Sequence, residues 1–294
     1  MSENHLTFAD LEDDLCDWAS AASVVLPVPF EHTTSYGKGT AAGPGALLAA
    51  SHYLELYDEE LDLEPCSQGV ATAAPCVPRA EDLEAALGEI EEEARRHLAA
   101  GKFLVAVGGE HSLTVAAVRA ARSLVPELGV VQFDAHADLR DAYEGSRFSH
   151  ACVMRRLLDD GLKTLAVGLR SLSQPEARLA RERRLAVIWG YELEAADERF
   201  AELLDRLPQH VYLTFDLDFF DPSLVPATGT PEPGGGLWYP ALRLLRRLFE
   251  RKEVVAMDVV ELLPIAGQPA SDFTAAKLVM KCLGYRWRHR SRLD

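Results

Sequence analysis

Two short acidic segments of the chain combine residue types and spacing that suit metal chemistry. The first is Asp134-Ala-His136-Ala-Asp138, and the second is Asp216-Leu-Asp218. Each follows an apolar run that predicts a buried strand, and alternate residues of an extended chain point to the same side. Burying four carboxylates without partners costs many kcal/mol, so the segments predict a site for strongly positive ligands. A pair of divalent metal ions is the natural candidate.

Adding His111 to these segments gives an oxygen-rich donor set with two imidazoles. Such a set suits manganese or a similar divalent ion and is poor for a closed structural zinc site. Four carboxylates also balance the charge of two dications. Water held between two such ions loses a proton near neutral pH, so the donor set predicts metal-assisted hydrolysis. The candidate metal ligands are His111, Asp134, His136, Asp138, Asp216 and Asp218.

The elements that must position these residues alternate between strand and helix patterns. An amphipathic helix pattern over Glu81–Ala100 precedes the strand pattern Phe103–Val107, and similar pairs continue to a final helix over Ser271–Leu283. This alternation predicts an α/β fold with a mainly parallel central sheet and helices on both faces. Ligands of such sheets bind beyond the carboxyl ends of the strands, where the polar clusters lie. Since no linker divides the chain, we expect residues 1–294 to form one domain with a short acidic N-terminal segment and a basic C-terminal tail.

Composition excludes several classes of protein. The 294 residues are 48% hydrophobic and 26% charged, which is ordinary for a globular protein. No apolar run approaches the roughly 20 residues of a membrane helix, and the N-terminus lacks a secretory signal, so we expect a cytoplasmic protein. The net charge of −16 disfavours nucleic acid and anionic membranes as partners and favours a cationic ligand. Five cysteines without Cys-x-x-Cys spacing argue against a disulfide framework or a thiolate zinc site.

Three segments carry a family resemblance: Gly108-Gly-Glu-His-Ser112, Asp134-Ala-His-Ala-Asp-Leu-Arg140 and Asp216-Leu-Asp-Phe-Phe-Asp-Pro222. Together they resemble the signature segments of the ureohydrolase superfamily, which contains the arginases and agmatinases. The similarity runs from Ser35-Tyr36 to the final helix. It implies a three-layer αβα arginase-like fold, two Mn²⁺ ions per subunit, a small cationic guanidino substrate, and assembly into a homotrimer or homohexamer.

The resemblance also implies a role for each candidate residue. Asp134 and Asp216 would bridge the two ions. His150 matches the histidine that passes a proton to the leaving amine, and Glu261 matches the glutamate that pairs with the substrate guanidinium. Asp138, His150 and Glu261 are therefore the expected catalytic residues, and His150 and Glu261 are also the expected substrate contacts. One ion would be held by His111, Asp134, Asp138 and Asp216, and the other by Asp134, His136, Asp216 and Asp218.

The loop before His150 bears on the choice of substrate. Its Tyr143-Glu-Gly145 and Ser149-His150 resemble agmatinases more than arginases, which favours hydrolysis of agmatine to putrescine and urea. Departures from the family pattern at Glu110, residues 152–155 and Gly267 leave aminopropylagmatine, guanidinobutyrate and arginine open as substrates. The sequence is also compatible with a formiminoglutamase, a catalytically silent metal-binding homologue or a single-zinc amidohydrolase. The complete set of candidate ligands argues against the last two.

Overall fold

A parallel β-sheet of eight strands forms the centre of the computed structural model, which describes residues 6–290. The strands are β1 (Ser23–Val28), β2 (Val70–Thr72), β3 (Phe103–Gly108), β4 (Leu128–Phe133), β5 (Lys163–Leu169), β6 (Ala186–Trp189), β7 (His210–Asp216) and β8 (Glu253–Val260). Their order across the sheet is β2-β1-β3-β8-β7-β4-β5-β6. Every pairing between these strands is parallel. The mainly parallel sheet predicted from the sequence is confirmed.

Helices follow most of the strands, as the alternating pattern predicts. Within residues 6–290, no helix has both the length and the apolarity needed to cross a bilayer. Short 3₁₀ turns join several elements, including one over His150–Cys152. The α-helices are α1 (Asp13–Cys16), α2 (Gly43–Ser51), α3 (Leu83–Ala99), α4 (Leu113–Leu124), α5 (Val153–Asp159), α6 (Gln174–Glu182), α7 (Asp197–Leu204), α8 (Trp238–Arg251) and α9 (Ala270–Arg290).

Two apolar cores lie on opposite faces of the sheet. Side chains alternate along each strand, so neighbouring residues enter different cores. Val105 and Val131 pack with residues of α2, α8 and α9. Leu104 and Val130 pack instead with residues of α3, α4 and α5. Because a parallel sheet buries both faces, its strands read as continuous apolar runs, and the three-layer αβα arrangement is confirmed.

The C-terminal helix is longer than the sequence pattern predicts. Helix α9 continues past Leu283 to Arg290 and takes in most of the basic segment. Tyr285 is buried and donates a hydrogen bond to Glu60 at 2.9 Å, and the guanidinium of Arg286 lies 4.1 Å from the centre of the Phe103 ring. The charged group of Arg286 thus packs on an aromatic face in a cation–π contact. The predicted basic tail spans Tyr285–Arg292, and its last two residues lie outside the described residues.

The four central strands bring their carboxyl ends to one rim of the sheet. Strands β3, β8, β7 and β4 are consecutive neighbours, and the polar segments of the sequence directly follow or end them. At this rim Gly109 lies against the loop that follows β1, since a Cβ there would stand 2.1 Å from the carbonyl oxygen of Phe30. A glycine is therefore required for the β3 turn to pack against that loop.

Candidate metal centre

Three carboxylates surround the imidazole of His111 at this rim. His111 lies in the turn after β3, Asp134 and Asp138 follow β4, and Asp216 ends β7. The Nδ1 atom of His111 lies 3.2 Å from Asp134 Oδ2, 3.1 Å from Asp138 Oδ2 and 3.4 Å from Asp216 Oδ2. All four side chains are buried. The structure therefore brings four of the six candidate ligands around one small space.

His136 and Asp218 form a second group that shares Asp134 with the first. The Nδ1 atom of His136 lies 2.7 Å from Asp218 Oδ2 and 3.7 Å from Asp134 Oδ1. Ligand atoms of His111, Asp134 and Asp216 lie within 4.8 Å of one another, and so do those of Asp134, His136 and Asp218. Asp216 Oδ1 accepts the backbone N–H of Asp218 at 2.8 Å, which leaves its Oδ2 facing His111.

A buried chain of hydrogen bonds fixes the proton of His111. Asp258, fully buried in β8, accepts hydroxyl hydrogens from Tyr212 and Thr114 at 2.8 Å and from Thr214 at 2.7 Å. Because Thr214 gives its only hydrogen to Asp258, its oxygen must accept from Nε2 of His111, 2.9 Å away. Neutral His111 therefore carries its hydrogen on Nε2 and keeps a lone pair on Nδ1, the atom that faces the carboxylates.

This arrangement is electrostatically unfavourable without a cation. The Nδ1 atom of His111 has no hydrogen-bond partner among the described residues and lies within 3.4 Å of three carboxylate oxygens. Burial raises the pKa of Asp134 to about 7, and burial together with the charge of Asp218 raises the pKa of Asp216 well above its ordinary value. Burial acts on Asp218 in the same sense, but His136 outweighs it and lowers the pKa of Asp218 to about 2. Divalent ions would relieve both the repulsion and the burial penalty, so the donor set fits them.

A cavity of about 370 Å³ opens at the donor set, and the carboxylate of Glu261 lies in its wall. Glu261 directly follows β8, and its Oε1 accepts the backbone N–H of His111 at 2.7 Å. Burial raises the pKa of Glu261 to about 8. The backbones of Glu261 and Asp138 are left-handed, with φ of 64° and 49°. A cationic ligand in the cavity would favour ionised Glu261 and donate hydrogen bonds to it.

His150 enters the same cavity from the start of a 3₁₀ turn. Its backbone N–H donates to Thr33 Oγ1 at 3.0 Å, and its Nδ1 lies 3.2 Å from the same oxygen. The ring of Tyr143 meets the imidazole edge to face at 5.8 Å. Asp134 is fully buried and is not among the lining residues. The other predicted site residues line the cavity: His111, His136, Asp138, His150, Asp216, Asp218 and Glu261.

Sequence reasoning missed three residues that support this site. Thr214 and Asp258 interrupt the apolar strands β7 and β8, and a polar residue in a strand buried on both faces is a signal that could have identified them. Thr33 contacts a histidine 117 residues away, which no local pattern reveals.

Asp272, which follows the departure at Gly267, lies in the first turn of α9 and is not among the residues lining the cavity.

Residues 21–284 match the model of the arginase family. The chain belongs to the arginase family. One arginase-family relative, the N(1)-aminopropylagmatine ureohydrolase of Synechocystis sp., is 44% identical over 278 residues, which cover 92% of this chain and 91% of the relative. The agmatinase of Pyrococcus horikoshii is 35% identical over 278 residues, covering 94% of this chain and 95% of that protein.

Solved structures agree with membership of the arginase family. The crystal structure of the agmatine ureohydrolase of Thermoplasma volcanium superposes with a TM-score of 0.88 at 31% sequence identity, covering 98% of this chain and 97% of that one. This likeness confirms the arginase-like fold. As a member of the arginase family with these relatives, the chain is an enzyme that hydrolyses guanidino groups.

Proposed function

We propose that the chain hydrolyses the guanidino group of agmatine or of N(1)-aminopropylagmatine, releasing urea and an amine. The position of Glu261 carries this proposal: its buried carboxylate lies in the cavity wall and accepts the backbone N–H of the candidate ligand His111. A carboxylate recognises a planar guanidinium by two parallel hydrogen bonds. Pairing at Glu261 would hold the guanidinium carbon beside the donor set.

We propose that two Mn²⁺ ions occupy the donor set. The oxygen-rich composition and the lone pair of His111 Nδ1 support divalent ions of this kind. Bound ions of this class lower the pKa of water and stabilise developing negative charge. Asp134 and Asp216 would contact both ions. The first ion would be held by His111, Asp134, Asp138 and Asp216, and the second by Asp134, His136, Asp216 and Asp218.

The remaining roles belong to side chains in the cavity wall. Glu261 orients the guanidinium, and Asp138, itself a member of the donor set, is an acceptor for a proton of the attacking water. Water adds to the guanidinium carbon, and the C–N bond to the alkyl amine then breaks. The departing nitrogen needs a proton, which His150 supplies from its place in the wall. The products are urea and a protonated amine.

The candidate substrates differ in the part that leaves as the amine. Relatives 44% and 40% identical to this chain are named for N(1)-aminopropylagmatine, and the P. horikoshii protein, 35% identical, is named agmatinase. These names support the aminopropyl compound as a second candidate beside agmatine. Hydrolysis of agmatine gives putrescine, and hydrolysis of its aminopropyl derivative gives spermidine. Either reaction would place the enzyme in polyamine synthesis.

A urea-release assay tests the proposal. Purified enzyme with Mn²⁺ is given agmatine, N(1)-aminopropylagmatine, arginine, guanidinobutyrate and formiminoglutamate, and urea and the amine product are quantified together. We expect the highest kcat/KM for one of the first two compounds, with one urea released per amine. Greater turnover of arginine or guanidinobutyrate would overturn the substrate proposal. Release of formamide without urea would identify a formimino hydrolase instead.

We also propose that residues 1–294 form one domain and that the chain assembles into a homotrimer or homohexamer in the cytoplasm. The resemblance to the ureohydrolase superfamily implies this assembly, and the continuous family match over residues 21–284 supports a single domain. Light scattering on the purified protein measures the mass, which is expected at three or six times the 32.3 kDa of one chain. A monomeric mass would contradict the proposal.

A further inference from the structure

The loop after β1 holds His150 through a single hydroxyl group. Thr33 Oγ1 lies 2.7 Å from Glu110 Oε1, 3.0 Å from the backbone nitrogen of His150 and 3.2 Å from His150 Nδ1. The loop itself is fixed by Glu110, which is fully buried and whose Oε2 accepts the backbone N–H groups of His32 and Thr33. Glu110 thus anchors both the backbone and the side chain of Thr33.

The direction of these hydrogen bonds follows from the donors available. Glu110 receives two backbone N–H groups and two hydroxyl hydrogens, from Thr33 and Ser112, and its oxygens act as acceptors in all four contacts. Thr33 has only one hydrogen to give, and Glu110 takes it. The Thr33 oxygen can therefore only accept from His150, first from the backbone N–H and second from Nδ1–H. The proton of neutral His150 belongs on Nδ1, which leaves Nε2 free for the cavity.

We propose that Thr33 is a positioning residue that sets the tautomer and the ring orientation of His150, with Glu110 directing its hydroxyl. This inference rests on the proposed role of His150 as the proton carrier. The Tyr143 ring meets the imidazole edge to face, so the histidine is held by the hydroxyl and by the aromatic ring. The other nearby oxygen, Ser149 Oγ, is 3.4 Å from Nδ1 and is the weaker partner.

Substitutions at Thr33 separate the effect of its hydroxyl group from the effect of its side-chain shape. Thr33→Val replaces the hydroxyl with a methyl group of similar size, and we expect kcat to fall about tenfold with KM and bound Mn²⁺ unchanged, because proton transfer is impaired and binding is not. Thr33→Ser restores the hydroxyl, and kcat should return to within about twofold of the wild type. Thr72→Val is the matched control, because the Thr72 hydroxyl also accepts a backbone N–H, from Phe8 at 2.8 Å, and Thr72 does not line the cavity. Its kcat should equal that of the wild type.

A double-mutant cycle with His150→Ala decides whether Thr33 acts through His150. If it does, Thr33→Val lowers kcat in the wild type but has no further effect when His150 is absent. An equal loss in both backgrounds, or a serine variant as slow as the valine variant, would overturn the proposal. Wild-type kcat in His150→Ala alone would instead refute the proton-carrier role and leave the metal and guanidinium proposals untouched. Should Thr33→Val not fold, Thr33→Ala takes its place in the same cycle.

Discussion

Replacing Asp258 with asparagine should weaken metal binding, although Asp258 is not itself a candidate ligand. Asp258 acts on the candidate ligand His111 through Thr214. The amide oxygen of Asp258→Asn can keep the hydroxyls of Tyr212 and Thr114, which share one carboxylate oxygen of Asp258. The amide NH₂ then faces Thr214, where a carboxylate oxygen accepted before. Thr214 must accept from this NH₂ and turn its own hydrogen towards His111 Nε2. The His111 proton is driven to Nδ1, the atom proposed to bind metal.

The size of the expected loss in metal affinity follows from the hydrogen bonds that must break before the metal can bind. Before His111 Nδ1 can bind, the variant has to give up two bonds, the one from the new amide to Thr214 and the one from Thr214 to His111. At about 0.5–1.5 kcal/mol for each net hydrogen bond, the cost is about 1–3 kcal/mol. This corresponds to a metal Kd about 5- to 150-fold weaker. Asp258 does not line the cavity, so kcat at saturating Mn²⁺ should change little.

Calorimetric titration of the metal-free protein with Mn²⁺ measures this effect directly. The matched control is Tyr212→Phe, which removes one hydroxyl from Asp258 but leaves the chain from Asp258 through Thr214 to His111 intact. Its Mn²⁺ affinity should stay within about twofold of the wild type, since only a distant hydrogen bond is lost. Equal affinities for Asp258→Asn and the wild type would refute the tautomer argument. A loss as large in Tyr212→Phe would do the same.

Three further substitutions test other parts of the site and fold. Elemental analysis should find one Mn²⁺ in His136→Ala instead of two. Its kcat should fall on the order of 100-fold, because one ion provides several kcal/mol of charge stabilisation. Full activity with one ion would contradict the binuclear proposal. Glu261→Gln should keep a normal metal content and lower kcat/KM about 10- to 150-fold, because a hydrogen bond to a charged group contributes free energy of this size. An unchanged KM for the guanidino substrate would exclude pairing between Glu261 and the guanidinium. Hydrogen bonds from Ser223 and from two glycine amides lower the pKa of Asp221 to about 2, so its stabilising effect is complete above the unfolded pKa of about 3.8 and is lost as the pH falls towards 2. The difference in urea midpoint between wild type and Asp221→Asn should therefore be constant above about pH 5 and shrink below pH 4, and a constant difference at every pH would contradict this.

The sequence predicts the elements and the ligand residues better than the contacts that support them. The strands can be recognised because continuous apolar runs end at turns, and parallel strands place Asp134 and Asp216 at one rim without further information. Asp258 is visible as a polar residue in a buried strand, but its contacts are not, because its three hydroxyl partners come from two other elements. The contact of Thr33 with His150 depends on how two loops pack. The predicted end of α9 is too early because arginines such as Arg286 suggest a solvated tail, whereas this one lies over Phe103.

The left-handed backbones of Asp138 and Glu261 have a consequence for how this sequence can change over generations. Most residues at such φ values cost on the order of 1 kcal/mol or more, whereas asparagine and glycine adopt them readily. A single nucleotide change converts an aspartate codon to either one. Asparagine or glycine at position 138 would keep the left-handed backbone without added strain, and either would remove the negative charge of a candidate ligand. A folded chain that lacks the proposed role of Asp138 is therefore only one mutation away, because the strain of this backbone does not oppose either replacement.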